Sequence, residues 1–106
     1  MVKKDTRKLE AILRNLGKNT RLATEQIASD IVEIAKENAP VDTGELRGSI
    51  HVERDGNNHT VVADSDHAVF VELGTSKMAA QPYLGPAVAK VKRNLAKYYR
   101  KVATND

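Results

Sequence analysis

Asp42 has the sequence context in this chain that most resembles a catalytic centre, because it opens the triplet Asp42-Thr43-Gly44. Some proteases activate water with an aspartate in such a triplet, but that chemistry needs a second carboxylate facing the first in an apolar cleft. Here the triplet follows Pro40 and continues into the polar stretch Glu45–Ser49. We therefore favour a structural role, in which Asp42 and Glu45 cap a short helical turn reciprocally.

The histidines and the short polar motifs offer no better centre. His51, His59 and His67 are spaced evenly but match no zinc-ligand spacing, and a hairpin would place the first two on opposite faces of its sheet. In the stretch 64–67 (DSDH) four neighbours seldom form a catalytic triad, so we predict a polar turn. The stretch 74–77 (GTSK) lacks the spacing of a phosphate-binding loop. We expect no catalytic residue, no metal and no cofactor.

The first half of the chain is predicted to be a long helix that ends before Pro40. Apolar residues recur at helical spacing from Leu9 onward, and Gly17 and Asn19 mark a weak point that could kink the helix or divide it. Pro40 ends it, because the residue before a proline is pushed out of the helical region. The predicted apolar stripe consists of Leu9, Ile12, Leu13, Leu16, Thr20, Ala23, Ile27, Ile31, Ile34 and Ala35.

Residues 47–64 are predicted to form a β-hairpin. The stretches SIHVER and HTVVAD alternate in polarity, and DGNN between them is a turn signal. Pairing Arg54 with His59 places Val52 opposite Val61. That face also carries Ile50 and Ala63, and it is the predicted core face because its inner members are all apolar. The other face pairs His51 with Val62 and Glu53 with Thr60.

The last part of the chain combines an ambiguous segment, a loop and a helix. Residues 68–73 (AVFVEL) fit either a strand or a short helix stopped by Gly74. Residues 74–82 are predicted to be a loop, mobile in the free subunit, and 82–85 a brief extended piece. A basic helix is predicted to begin at Pro86, which suits a first helical position. Its apolar stripe consists of Val88, Val91, Leu95, Tyr98, Tyr99 and Val102.

These elements predict one α+β domain over residues 1–106, with flexible ends at 1–8 and 104–106. It consists of a long N-terminal helix, an antiparallel β-hairpin or small sheet, a short helix or turn, and a C-terminal helix packed on the sheet. The chain has no cysteine, which excludes disulfide scaffolds, thiolate zinc sites and cysteine nucleophiles. The longest apolar run, residues 68–71, is too short to span a bilayer.

The net charge of +3 conceals a basic–acidic–basic pattern. Residues 1–24 carry seven Lys or Arg against two Asp or Glu, residues 25–72 carry three against eleven, and residues 73–106 carry seven against one. These segments therefore have net charges of +5, −8 and +6. The pattern suits head-to-tail association of copies, contact with other charged proteins, or a polyanion held by the two ends. Ordinary solvated helices with many lysines would show the same charges.

Two separated motifs in a fixed order carry a resemblance to a known family. A long helix is followed by AP-V-DTG-EL-RGSI, and then VELGTSKMAAQPYLGPAV leads into a basic helix. This order resembles the head–tail joining or tail-completion family of long-tailed bacteriophages, whose members are often labelled minor tail components, over about residues 20–100. The motif and interface candidates are Asp42, Thr43, Gly44, Leu46, Arg47, Ser49, Glu72, Gly74, Thr75, Gln81, Pro82 and Pro86.

The resemblance implies a structural phage or prophage protein that acts at the head–tail junction, as a subunit of a homo-oligomeric ring. Its implied partners are further copies of itself, tail-tube or connector proteins of the neck, and DNA in the channel through non-specific contact, with no membrane. Its implied location is the host cytoplasm during assembly and then the virion. Two alternatives stay open: the charge pattern also fits a small nucleic-acid-binding protein that uses basic terminal helices, and the triplet at 42–44 also fits a hydrolase built on Asp42.

Overall fold

The computed structural model describes residues 2–4, 9–13, 20–40, 44–56 and 58–98, and of residues 2–22 only the backbone. The described elements are β1 (Val2–Lys4), β2 (Leu9–Leu13), α1 (Thr20–Asn38), α2 (Glu45–Ser49), β3 (Ile50–Asp55), β4 (Asn58–Ala63), α3 (Ala68–Leu73) and α4 (Leu84–Arg93). Residues 95–98 are helical again after a turn at Asn94. The four strands form one antiparallel sheet in the order β1-β2-β4-β3, so the fold is α+β as predicted.

The predicted hairpin is confirmed together with its register. Arg54 pairs with His59 and Val52 pairs with Val61, as the alternating polarity requires. Ile50 is the first residue of β3, because the preceding residues 45–49 form the short helix α2 instead of continuing the strand. Ile50, Val61 and Ala63 are buried on the predicted core face.

Leu9–Leu13 is a strand, so the prediction of a helix at these residues was wrong. The register pairs Leu9 with Ala63, Ala11 with Val61 and Leu13 with His59 along the side of β4 that β3 leaves open. A run as short as LEAIL fits the period of a strand as well as that of a helix, and pairing satisfies backbone groups that β4 would otherwise leave open. Leu16 lies outside the described residues, and the prediction of flexible ends concerns motion and stays a prediction.

The helix α1 covers one face of the sheet and ends where Pro40 predicts. It begins at Thr20, beyond the predicted weak point, and its last turn is closed by a 2.9 Å hydrogen bond from the N–H of Ala39 to the carbonyl oxygen of Ala35. It contacts β3, β4 and α4. The buried core joins residues of α1, the hairpin and α4, and its members include Ile27, Ile31, Ala35, Ile50, Val61, Ala63, Leu84, Ala87 and Val91.

The ambiguous segment at 68–73 is the helix α3. The helix α4 begins at Leu84, two residues before the predicted start, so residues 84–85 are not extended. The helix α4 ends at its C-cap, Asn94. Beyond it, Leu95 of the predicted apolar stripe is 37 % exposed, whereas Tyr98 is half-buried against the core. Tyr99 and Val102 lie outside the described residues. No helix in the described part of the chain is long and apolar enough to cross a membrane.

Candidate interaction site

Glu72 in α3 caps the N-terminus of α4 from outside that helix. One carboxylate oxygen accepts hydrogen bonds from the N–H groups of Tyr83 at 3.0 Å and Leu84 at 2.9 Å, and the other accepts one from Gly85 at 2.9 Å. The next residue, Pro86, has no N–H to satisfy. The carboxylate also lies at the positive end of the helix dipole. Glu72 therefore explains why α4 begins at Leu84, with Pro86 as its third residue and not its first.

Tyr83 ties the same region to the core. Its side chain is fully buried, and its hydroxyl donates to the carbonyl oxygen of Ala68 at 2.7 Å. Its own carbonyl oxygen accepts a hydrogen bond from the amide of Asn38 at 3.3 Å. Burial, with the nearby charge of Glu72, raises the pKa of Tyr83. Tyr83 thus stays a neutral donor and joins the start of α3 to the end of α1 and the start of α4.

Residues 74–82 form a loop, as predicted, but a more firmly anchored loop than its composition indicates. Gly74 has a φ of 77°, and a Cβ added there would lie 2.7 Å from the backbone nitrogen of Ala80, so only glycine fits without rearrangement. The hydroxyl oxygen of Thr75 accepts hydrogen bonds from the N–H groups of Lys77 and Met78, at 3.2 and 3.0 Å. The N–H of Gln81 donates to the carbonyl oxygen of Val71 at 2.8 Å.

This scaffold displays large apolar side chains to solvent. Phe70 and Leu73 on α3 are 50 % and 54 % exposed, and Met78 in the loop is 39 % exposed. Beside them lies an open groove of about 180 Å³, lined by Pro40, Leu46, Val71, Phe70 and Met78 with the polar residues His67 and Gln81. Large apolar side chains gathered on one surface typically mark an interaction site. We call Phe70, Leu73, Met78 and this groove the apolar patch.

The first motif supports the floor of the groove. Leu46 is buried in α2 and contributes to both the core and the groove lining. Arg47 donates from Nε to the carbonyl oxygen of Lys36 at 2.8 Å, which ties α2 to the last turn of α1. The hydroxyl of Ser49 donates to the carbonyl oxygen of Leu46 at 2.7 Å. The structure therefore brings the two sequence motifs together at the groove, with Leu46 from the first and Gln81 from the second.

The predicted reciprocal cap differs from what the structure describes. The helix α2 has Gly44 as its N-cap, with a φ of 66° and no side-chain cap, so Glu45 is the first helical residue and not the third. A left-handed glycine lets the chain enter the helix abruptly at that point. Asp42 and Thr43 lie outside the described residues, as does any contact they make. Pro82 and Pro86 are exposed.

His51 lies outside the patch, on the face of β3 opposite the core. Its Nδ1 is 2.7 Å from the carbonyl oxygen of Ser49, and its Nε2 is 3.0 Å from a carboxylate oxygen of Glu53. Only the imidazolium can donate to both oxygens. The hydrogen bond to Ser49, followed by the one to Glu53, accordingly raises the pKa of His51.

The other chemical candidates do not form a site. His51 and His59 lie on opposite faces of the sheet, as predicted, and His59 is buried. Ser65 belongs to a tight turn, in which its hydroxyl oxygen accepts a hydrogen bond from the N–H of His67 at 3.2 Å. Within the residues that the structure describes, no three His, Asp or Glu side chains are arranged to hold a metal ion.

Comparison with known proteins identifies one family. A family model described as "Bacteriophage HK97-gp10, putative tail-component" matches residues 3–74, which is more than half of the chain. No curated protein and no solved structure matches the chain. The matched segment ends at Gly74, so it contains the first motif and Glu72 but stops before Thr75, Gln81, Pro82 and Pro86.

Proposed function

Because this chain belongs to the HK97-gp10-like family of bacteriophage tail components, we propose that it acts at the head–tail junction, in completion of the tail, as a subunit of a homo-oligomeric ring. At the coarser level, family membership makes it a structural phage protein that contacts other phage structural proteins. A structural role fits the described residues, in which the polar groups of the two motifs make caps and turns.

The apolar patch is the observation that supports this function most directly. The hydrogen bonds of Glu72 and Thr75 and the backbone conformation of Gly74 hold α3, the loop and α4 in one arrangement. What that arrangement presents to solvent is Phe70, Leu73 and Met78. A rigid scaffold that displays apolar side chains is typical of a binding surface. Family membership implies partners among other phage structural proteins, and we propose that the patch binds one of them, a tail-tube or neck component.

The charge pattern supports association between copies. The acidic segment 25–72 has a net charge of −8, and the segments before and after it carry +5 and +6. Segments of opposite charge in each copy favour head-to-tail contact, which closes into a ring when the rotation between subunits permits. Exposed pairs of this kind are screened by salt, so self-association should weaken between low salt and about 0.5 M.

Electron microscopy of particles assembled without this protein tests the proposed role. A joining function predicts complete heads and complete tails that remain separate, and joining restored when the protein is supplied. Overlong tails would assign a terminator role instead. Normal, joined particles would contradict the proposal. Native mass spectrometry of the purified chain tests the ring, since a monomer at every concentration would contradict it.

A nucleic-acid-binding role has one observation in its favour. The basic residues Lys90, Lys92 and Arg93 on α4 and Lys97 in the helical residues 95–98 are all exposed. That role was also predicted to use a basic N-terminal helix, but Leu9–Leu13 is a strand. The logarithm of the association constant for duplex DNA would then fall steeply and linearly with the logarithm of the salt concentration. That result would favour this role, or non-specific contact with DNA in the channel.

A further inference from the structure

One side of β3 is an open backbone edge. In the described part of the chain its only strand neighbour is β4. The N–H of Asp64 donates to the carbonyl oxygen of Ser49 at 3.5 Å. Ser49 and Asp64 are therefore a hydrogen-bonded pair that continues the antiparallel ladder of β3 and β4. Such pairs alternate with non-hydrogen-bonded ones, so the pairs 52–61 and 54–59 of the register are of the second kind. The backbone N–H and C=O groups of Val52 and Arg54 therefore point away from β4, into the open edge.

The exposed side chains along β3 leave this edge accessible, and their charges restrict which strands can pair with it. Ile50 is buried, His51 and Val52 are half-buried, and residues 53–55 are exposed. The exposed residues are Glu53, Arg54 and Asp55, and charged side chains on an edge strand discourage pairing with arbitrary apolar strands. A partner strand for this edge should therefore carry charge of its own.

The same sheet ends on its other side in β1. That edge strand is Val2–Lys4, with two consecutive lysines, and it belongs to the segment with a net charge of +5. β3 belongs to the segment with a net charge of −8. Within its described residues each copy thus carries two different open edges, and the segments that contain them have opposite charges.

We propose that the open edge of β3 receives β1 of a second copy, so that the sheets of neighbouring subunits join edge to edge. The contact is head-to-tail, because it uses a different edge on each copy, and it leaves one unused edge at each end until a ring closes. Main-chain hydrogen bonds supply the attraction, and the opposite charges of the segments that contain β1 and β3 select the partner. This inference rests on the proposed function in requiring that the chain assembles with itself.

The variant Arg54→Pro, with Arg54→Ala as its matched control, tests the contact at β3. Proline removes the outward N–H of residue 54 but takes no hydrogen bond from the β3–β4 ladder, and edge strands accept proline at such positions. Both variants lose the 3.2 Å hydrogen bond from Arg54 Nε to the carbonyl oxygen of Gly56. In native mass spectrometry we expect Arg54→Ala to assemble like the native chain and Arg54→Pro to remain monomeric. Circular dichroism of the monomer checks that it is folded.

A mixing experiment tests the partner strand and does not depend on that one substitution. A variant that lacks residues 2–4 has no β1 but keeps the edge of β3, so we expect it to be monomeric alone. Mixed with Arg54→Pro, it should form heterodimers and nothing larger, because only one productive contact remains between the two variants. Native-sized oligomers from either variant alone would overturn the edge contact and leave the proposed function standing. A native chain that never self-associates would instead contradict the ring itself.

Discussion

The carboxylate of Glu72 lies 2.9 Å from the backbone nitrogen of Leu84, the first residue of α4, and accepts its hydrogen bond. A residue of one helix thus supplies the N-terminal cap of the next, across a loop of ten residues at 74–83. No local capping signal precedes α4, since its N-cap, Tyr83, makes no side-chain cap hydrogen bond. The angle between α3 and α4, and with it the apolar patch, depends on this contact.

Replacing Glu72 with alanine should destabilise the fold by about 1–3 kcal/mol, because three backbone N–H groups lose a charged acceptor. Urea denaturation measures the loss. Glu33→Ala is the control, as Glu33 is an exposed carboxylate on α1, and its loss should stay within about 0.5 kcal/mol. Equal effects of the two substitutions would show that the cap contributes no more than a surface charge.

Gly74→Ala should cost more stability than Gly56→Ala. Both glycines have a positive φ, 77° and 61°, so both substitutions introduce backbone strain of about 1–3 kcal/mol, and Gly74, with a ψ of 174°, lies in a region that is essentially restricted to glycine. At Gly56 the new Cβ meets open space, whereas at Gly74 it lies 2.7 Å from the backbone of Ala80. The difference between the two free energies of unfolding therefore measures the close approach of the loop together with the backbone conformation of Gly74. Identical losses would mean that the loop moves aside freely.

The double substitution Phe70→Ser, Leu73→Ser should abolish joining of heads to tails while leaving self-association and stability close to native. Both side chains are about half exposed, so the folded core loses little. Complementation of particles that lack the protein, followed by electron microscopy, measures joining. Leu95→Ser is the matched control, because Leu95 is an exposed leucine at 37 % outside the patch. Full joining by the double variant would remove the patch from the proposed interface.

His51 should titrate above its ordinary pKa of 6.5 in the folded protein. Because folding raises this pKa, the stabilisation is fully present below about pH 6.5 and is lost as the pH rises through the folded value. Nuclear magnetic resonance of the ring protons measures the midpoint. The variant Glu53→Gln should lower that midpoint, since the carboxylate at 3.0 Å favours the imidazolium. An unchanged midpoint in this variant would show that Glu53 does not raise the pKa of His51, and would leave the Ser49 carbonyl to account for it.

Amide exchange in residues 74–82 should slow when the chain assembles with its partners. The loop is anchored at Thr75 and Gln81, but residues 75–82 are exposed and line one side of the patch. Mass-spectrometric exchange of the free and the assembled protein compares the two states. Equally slow exchange in both would show that the anchors already order the loop.

Much of the fold was predictable because its signals are local. The hairpin register follows from the alternation of SIHVER and from a four-residue turn signal, and a one-residue slip would turn Glu53 instead of Val52 to the core face. The helix α1 follows from a long apolar stripe that stops at Pro40. For the candidate site, the motif residues were predicted but their roles were not, because neither Leu46 nor Gln81 shows in sequence that it faces the same groove.

The sequence by itself determined the α+β class, the hairpin with its register, and the end of α1, since each depends on residues close together in the chain. Only the tertiary structure decided that Leu9–Leu13 is a strand. A run of five residues fits the period of a strand as well as that of a helix, and β4, with which this run pairs, is distant in the sequence. It also decided where α4 begins, because its cap comes from Glu72 in another helix. Local periodicity predicts helices and strands from neighbouring residues. The hydrogen-bond partners of the remaining backbone N–H and C=O groups come from residues that only the folded chain brings near them.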